Sequence, residues 1–225
     1  MSWLLVVVIL TQPSTTVWIS SNWYLSDKKG YICGKALKGK QVATYIFGYG
    51  SLINSASRQL TGATGLAYPA VIHGFKRIWG KLDTSYTLSP LVVQKGQGLV
   101  NGVLIEINPS ELQEFDTRER SYQRIQVSLT EINTTHSLTA SDHIWLYIND
   151  DAKQPCEQVP IMQSYVDTVL AGCLDISESF AKQFIEHTLG WHCPRQDDRH
   201  TPTYAHLAGV QQHHYCLIDK LLKGA

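Results

Sequence analysis

The stretch TYIFGYGSLINSASRQL, Thr44 to Leu60, begins with aromatic and β-branched residues, passes two glycines around a tyrosine, and then changes to a short helical composition. Thr44 to Tyr49 has the make-up of a buried strand. Gly50 and Ser51 fall at a tight turn, and Asn54 stands where a side-chain cap would start a helix over 55–60. Three chemistries compete for the turn. A dinucleotide fingerprint needs a third glycine where Ile53 stands, an acidic residue about 20 positions on and βαβ surroundings, and all three are missing. A P-loop would need Gly-Lys-Ser/Thr. A nucleophile elbow needs GxSxG, but Leu52 and Ile53 follow Ser51, which leaves a serine hydrolase as a distant third reading. Ser51 fits better as a turn-former and hydroxyl donor.

Working outward, segments 70–79, 86–94 and 99–107 are rich in Val, Ile, Leu and aromatics and read as antiparallel strands. Asn108-Pro109-Ser110-Glu111 reads as a helix start, with Asn108 as cap and Glu111 closing a capping box, and predicts a helix over 109–118. Leu112 and Phe115 share its buried face, and Glu119 falls at its end. Strands over 122–132 and 143–148 follow. The stripe Ile161, Met162, Tyr165, Val166, Val169, Leu170 predicts a helix stopping at Gly172, with further helices over 177–189 and 205–223. Strands first and helices later indicate an α+β domain without internal repeats.

Lys plus Arg and Asp plus Glu both total 19 in the 225 residues, so no broad field attracts nucleic acid or an anionic membrane. A small neutral or zwitterionic ligand fits better. Cys33, Cys156, Cys173, Cys193 and Cys216 are odd in number, widely spaced and without a CxxC pair, and read as reduced thiols in a cytoplasmic setting. The late histidines, His187, His192, His200, His213 and His214, match no zinc spacing, so no metal is expected. The apolar run Trp3 to Leu10 is far short of the roughly 20 residues that span a bilayer. No Lys or Arg precedes it and no small-x-small site closely follows, so residues 1–43 read as an N-terminal extension rather than a signal peptide. Residues 44–225 form the expected domain.

FGYGSLI followed by FDTRERSYQRIQV resembles the γ-glutamylcyclotransferase superfamily, with its AIG2-like and glutathione-cleaving ChaC-like branches. The likeness extends through SYVDTVLAGC, TLGW and DDRHTPTY, from about Thr44 to about Tyr204. It implies a small mixed, partly closed β-barrel flanked by helices, acting without a cofactor on a small-molecule γ-glutamyl substrate. In that family the aromatic-Gly-Tyr-Gly-Ser turn binds the γ-glutamyl group and the glutamate of an Asp-x-x-Glu segment is catalytic. The matching positions are Ile46, Phe47, Gly48, Tyr49, Gly50, Ser51 and Leu52 for binding, Tyr122 as a further pocket wall, and Glu119 for catalysis. KLDTSYTLSPL, residues 81–91, departs from the histidine-containing segment of ChaC-like enzymes, so the resemblance does not name the substrate.

The chemistry is consistent with those residue types. A γ-glutamyl amide carries its own nucleophile, because its α-amino group can close a five-membered lactam on the γ-carbonyl with effective molarities on the order of 10⁵ M or more. What an enzyme must add is a base for the ammonium proton and donors for the oxyanion. A partly buried Glu119 would serve as base and then acid. Backbone N–H groups of the glycine turn would hold the substrate carboxylate or the oxyanion. Two other readings stand beside this one. Glu119 by itself reads as a helix-end carboxylate paired with Arg118, Arg120 or Arg124, and the whole pocket would equally suit a non-catalytic module binding a small carboxylate.

Overall fold

The computed structural model describes residues 24–27, 30–33, 42–62, 65–82 and 87–224, so the apolar run at 3–10 lies outside the described residues. The chain divides into two units, Met1–Gln41 and Val42–Ala225. In the first, strands β1 (Tyr24–Asp27) and β2 (Gly30–Cys33) pair antiparallel.

The second unit is α+β. Its main sheet has the order β9 (Thr188–Leu189), β4 (Ala67–Trp79), β5 (Leu91–Ile107), β3 (Thr44–Gly48), β8 (His143–Ile148), β6 (Gln123–Gln126), and β7 (Ile132–Thr134) also pairs with β4. The sheet is mixed, since β3 runs antiparallel to β5 but parallel to β8. One residue past β8, the Asn149 N–H donates to the Val93 carbonyl early in β5 at 3.0 Å, beyond the point where β3 has stopped. That contact brings the two neighbours of β3 together beyond its end.

Both faces of β3 are covered, which is why all five of its residues are buried and its sequence shows no polar alternation. Tyr45 and Phe47 enter one core with Ile72, Val100, Leu104, Ile144 and Leu146. Ile46 enters the other with Val103, Ile105 and the helices α3 (Gln163–Ile176), α4 (Glu178–Glu186) and α5 (Gln212–Leu222). The helix α1 (Ser55–Leu60) starts where the sequence places it, at Asn54, whose Oδ1 accepts from the N–H groups of Ala56 and Ser57 at 3.0 and 3.1 Å. The Asn54 amide also donates to the carbonyls of Thr168 and Ala208, at 2.9 and 3.1 Å. One almost fully buried side chain thus ties the segment after the turn to α3 and to the loop before α5.

Several expected boundaries move. The strands expected at 86–94 and 99–107 are one long strand, β5, paired with β4 across a bulge between His73 and Phe75, and Tyr86 lies outside the described residues. Gly96 and Gly98 look like punctuation in sequence, but strand pairing on both sides carries the chain through them. The expected strand 122–132 breaks at Ser128, whose hydroxyl accepts from the Thr130 N–H and opens a 3-10 turn over Leu129–Glu131. The helix expected over 109–118 opens as a 3-10 turn, Pro109–Glu111, and continues as α2 (Leu112–Arg118), with the Glu111 carboxylate accepting from the Asn108 N–H at 2.6 Å. Helix α3 does not stop at Gly172 but runs on to Ile176. That glycine serves a close approach, since a Cβ there would stand 2.5 Å from the Asn54 Cα. The helix expected over 177–189 ends at Glu186, before the short strand β9, and the last helix begins at Gln212 rather than near 205.

Candidate active site

Strand β3 delivers Gly48 to the end of the sheet, and a 3-10 turn over Ser51–Ile53 follows, closed by the Ile53 N–H donating to the Gly50 carbonyl at 2.9 Å. The first N–H groups of such a turn, those of Ser51 and Leu52, have no acceptor within it. The two glycines are there for space. A Cβ at Gly48 would meet the Leu52 Cβ at 2.8 Å, and one at Gly50 would meet the Tyr165 hydroxyl at 2.9 Å.

The turn lines a cavity of about 240 Å³. That is below the roughly 300 Å³ lower end of drug-sized ligand sites and suits a ligand of amino-acid to dipeptide size. Ile46, Phe47, Gly48, Tyr49, Gly50, Ser51, Leu52, Glu119 and Tyr122, the residues singled out in the sequence, all line this one cavity. Ile46 and Phe47 are almost fully buried members of the two cores, so they form its base rather than reaching into it. Tyr49 is fixed by its hydroxyl, which donates to the Tyr147 carbonyl at 2.8 Å. Tyr122 donates to the Leu91 carbonyl at 3.4 Å.

Glu119 is the residue just past α2, and its N–H still donates to the Phe115 carbonyl at 2.8 Å, so the helix end sets its position. Its side chain keeps 26% of its surface exposed and pairs with Arg118, Nε to Oε1 at 3.1 Å. The ion pair expected of a helix-end carboxylate is therefore present inside the cavity lining. Arg118 also donates to the Thr61 carbonyl at 3.3 Å and lies 4.5 Å over the Phe115 ring. Asp116, in the last turn of α2, anchors that helix end to the sheet. It accepts from the Tyr147 hydroxyl on β8 at 2.9 Å and pairs with Arg124 on β6 at 2.8 Å.

Sequence reasoning did not assign Tyr147, Tyr165 and Tyr204 to the site, although all three line the cavity. Tyr165 sits in the α3 stripe and there is indistinguishable from core. Tyr204 comes from a loop whose placement depends on contacts remote in sequence. Asp198 accepts from the Ser164 N–H and hydroxyl at 2.7 and 2.6 Å and from the Thr203 N–H at 2.7 Å, and the Tyr204 N–H donates to the Ser164 hydroxyl at 3.3 Å. The Tyr204 ring then packs on Tyr165 with centroids 4.7 Å apart. Burial disfavours the Asp198 carboxylate, but these hydrogen bonds outweigh it and hold its pKa below the ordinary value. Burial, with the Glu119 charge adding to it, raises the hydroxyl pKa values of Tyr49, Tyr165 and Tyr204. At neutral pH these three are uncharged walls and hydrogen-bond donors.

Behind the turn lies Arg77 on β4, fully buried. It donates to Thr188 Oγ1 at 2.7 Å, to the Asn101 carbonyl and Oδ1 at 2.6 and 2.8 Å, to the Phe184 carbonyl at 2.9 Å, and weakly to the Tyr49 carbonyl at 3.4 Å. All of these acceptors are neutral, and burial draws its pKa down to about 9. Arg77 thereby joins β4, β5, α4 and the pocket turn through one side chain.

A family model described as gamma-glutamyl cyclotransferase, AIG2-like, matches residues 46–166, more than half of the chain and the span holding both the turn and Glu119. The chain belongs to that family. Among solved structures it is similar to a gamma-glutamyl cyclotransferase at 16% identity, covering 79% of this chain and 99% of that one, with a TM-score of 0.49. It is also similar to YkqA from Bacillus subtilis at 20% identity, covering 64% and 54%, with a TM-score of 0.49. An uncharacterized protein from Homo sapiens is similar at 16% identity, covering 80% and 99%, with a TM-score of 0.47. No curated protein matches. Among the described residues no helix is long and apolar enough to cross a membrane, and Cys156, Cys173, Cys193 and Cys216 are free thiols.

Proposed function

We propose that residues 44–225 form a γ-glutamylcyclotransferase that converts a γ-glutamyl amide or peptide to 5-oxoproline and a free amine. The observation that carries this reading is that Glu119 and the Gly48–Leu52 turn line the same small cavity. The substrate α-nitrogen attacks its own γ-carbonyl, a C–N bond forms to close the lactam, and the C–N bond to the departing amine breaks. Glu119 takes a proton from the α-ammonium and a second from the same nitrogen as the ring closes, and both pass to the leaving nitrogen, which departs as an ammonium, so no water and no cofactor is consumed. The N–H groups at the start of the 3-10 turn, with the Ser51 hydroxyl, stabilise the oxyanion formed in between. Tyr49 and Tyr122 wall the cavity and exclude water. The free thiols fit a cytoplasmic setting.

Incubation with γ-glutamyl-alanine, glutathione and a γ-glutamyl amine tests the proposal. Release of 5-oxoproline from at least one of them is expected, and Glu119→Gln abolishes it while leaving the unfolding transition in place. Binding of all three without turnover would instead identify a binding module, and retained turnover in Glu119→Gln would remove Glu119 as the proton carrier.

A further inference from the structure

Arg77 is fully buried, yet among the described residues no carboxylate pairs with it. Taking a lone cation out of water is costly, and this one lies directly behind the turn that lines the cavity. Resting on the cyclotransferase reading, we propose that Arg77 is a positioning residue of the reaction: its uncompensated charge, acting through the Tyr49–Gly50 peptide, draws negative charge toward the turn as the oxyanion forms.

The hydrogen bonds of Arg77 are unequal. Those to Thr188, to the Asn101 carbonyl and Oδ1 and to the Phe184 carbonyl are 2.6 to 2.9 Å long, and none of these acceptors lines the cavity. The remaining one, to the Tyr49 carbonyl, is 3.4 Å long and does reach the lining. The Phe184 ring centroid lies 3.5 Å from the guanidinium carbon, and Asn101 is itself held by donating to the Phe180 carbonyl at 2.9 Å. The charge is thus fixed in place before any substrate arrives.

The Tyr49 carbonyl and the Gly50 N–H belong to one peptide, so a donor on that carbonyl polarises the unit and strengthens its N–H as a donor in turn. The charge of Arg77 also reaches the cavity wall. It acts on the Tyr49 hydroxyl against the upward push of burial, and it interacts with the Tyr165 hydroxyl. The sign suits the reaction. As the lactam closes, negative charge leaves Glu119, which takes a proton, and appears on the γ-carbonyl oxygen. Arg118, paired with Glu119 at 3.1 Å, favours the charge where it starts. Arg77, behind the turn, favours it where it arrives.

The test compares kcat and KM, on the γ-glutamyl substrate turned over fastest, in the wild-type chain, Arg77→Lys and Arg77→Met, with the unfolding transition and the calorimetric affinity for 5-oxoproline measured on each. 5-Oxoproline has no oxyanion at its ring carbonyl, so its affinity reports the shape of the cavity. Arg77→Met should lower kcat about 100-fold, while KM and the 5-oxoproline affinity stay within about threefold of the wild type. Arg77→Lys, which keeps a charge without the fork, should fall between the two. Should Arg77→Met fail to fold, Arg77→Gln, which leaves two N–H donors for Asn101, serves as the neutral variant. An equal kcat in the lysine and neutral variants, or a 5-oxoproline affinity that falls along with kcat, would overturn the proposal and leave Arg77 as a brace between β4, β5 and α4. Unimpaired turnover in the neutral variant would overturn this role alone. No release of 5-oxoproline by the wild type from any γ-glutamyl substrate would overturn the cyclotransferase reading and this role with it.

Discussion

A single methyl group on Gly50 would meet the Tyr165 hydroxyl at 2.9 Å, so the second glycine of the turn is set by a side chain more than a hundred positions away. Gly50→Ala should therefore impair binding in the cavity, and Gly50→Ala with Tyr165→Phe should recover part of it. Steady-state kinetics on the single and double variants checks this, and no recovery in the pair would place the fault elsewhere. On the proposed reading Ser51 contributes a hydroxyl beside the turn rather than a nucleophile. Ser51→Ala should raise KM several-fold, as loss of one hydrogen bond does, with kcat largely kept; complete loss of turnover would restore the serine as an attacking group. Both residues could be picked from the sequence because glycine and serine at a strand end signal a special backbone. Tyr165, Tyr204 and Arg77 were not legible in the same way. Aromatic residues on a helix stripe and an arginine in a strand carry no mark of what they meet in space.

At the scale of elements, helix boundaries that depend on local chemistry were readable and those that depend on packing were not. Asn54 before α1 and Glu111 before α2 act within three residues, so sequence sufficed. Gly172 has the sequence signal of a helix end, but it lies inside α3, where it lets Asn54 pack against the helix. This gives a prediction with opposing terms. Helix propensity favours alanine over glycine by about 1 kcal/mol, whereas forcing a methyl against the Asn54 backbone costs about 1–3 kcal/mol. Gly172→Ala should be net destabilising in chemical denaturation, and a stabilised variant would refute the close approach. On α5, His214 is buried and its Nδ1 accepts from the Gln211 N–H at 3.1 Å. Burial, reinforced by His213 and opposed by Asp175, lowers its pKa below the ordinary 6.5. The folded protein then binds fewer protons here than the unfolded chain does. Stability should fall as pH drops through about 6.5 toward the lower folded value. His214→Gln, which keeps an acceptor for Gln211, should flatten that dependence between about pH 7 and 5. Asp198 and Asp219, both held below the ordinary carboxylate range, act only in more acid solution.

For the whole molecule, the α+β class followed from the order of elements, but the path of the sheet did not. Nothing in Leu91–Ile107 announces one strand long enough to serve both β4 and β3, because glycines at 96 and 98 carry the same signal whether a strand ends or bends. The contact that joins the neighbours of β3 beyond its end, Asn149 with Val93, is equally invisible without the fold. Yet the consequence of that fold, a turn and a carboxylate about seventy positions apart on one small cavity, is what joins two short motifs into one candidate site. The central claim is that the substrate supplies the nucleophile. It is tested most directly by running the reaction with γ-glutamyl-alanine in ¹⁸O-labelled water and analysing the acidic product by mass spectrometry. The account predicts 5-oxoproline without label, formed by the wild type and absent with Glu119→Gln. Glutamate carrying ¹⁸O would mean that water or an enzyme nucleophile attacks the γ-carbonyl, and would contradict it.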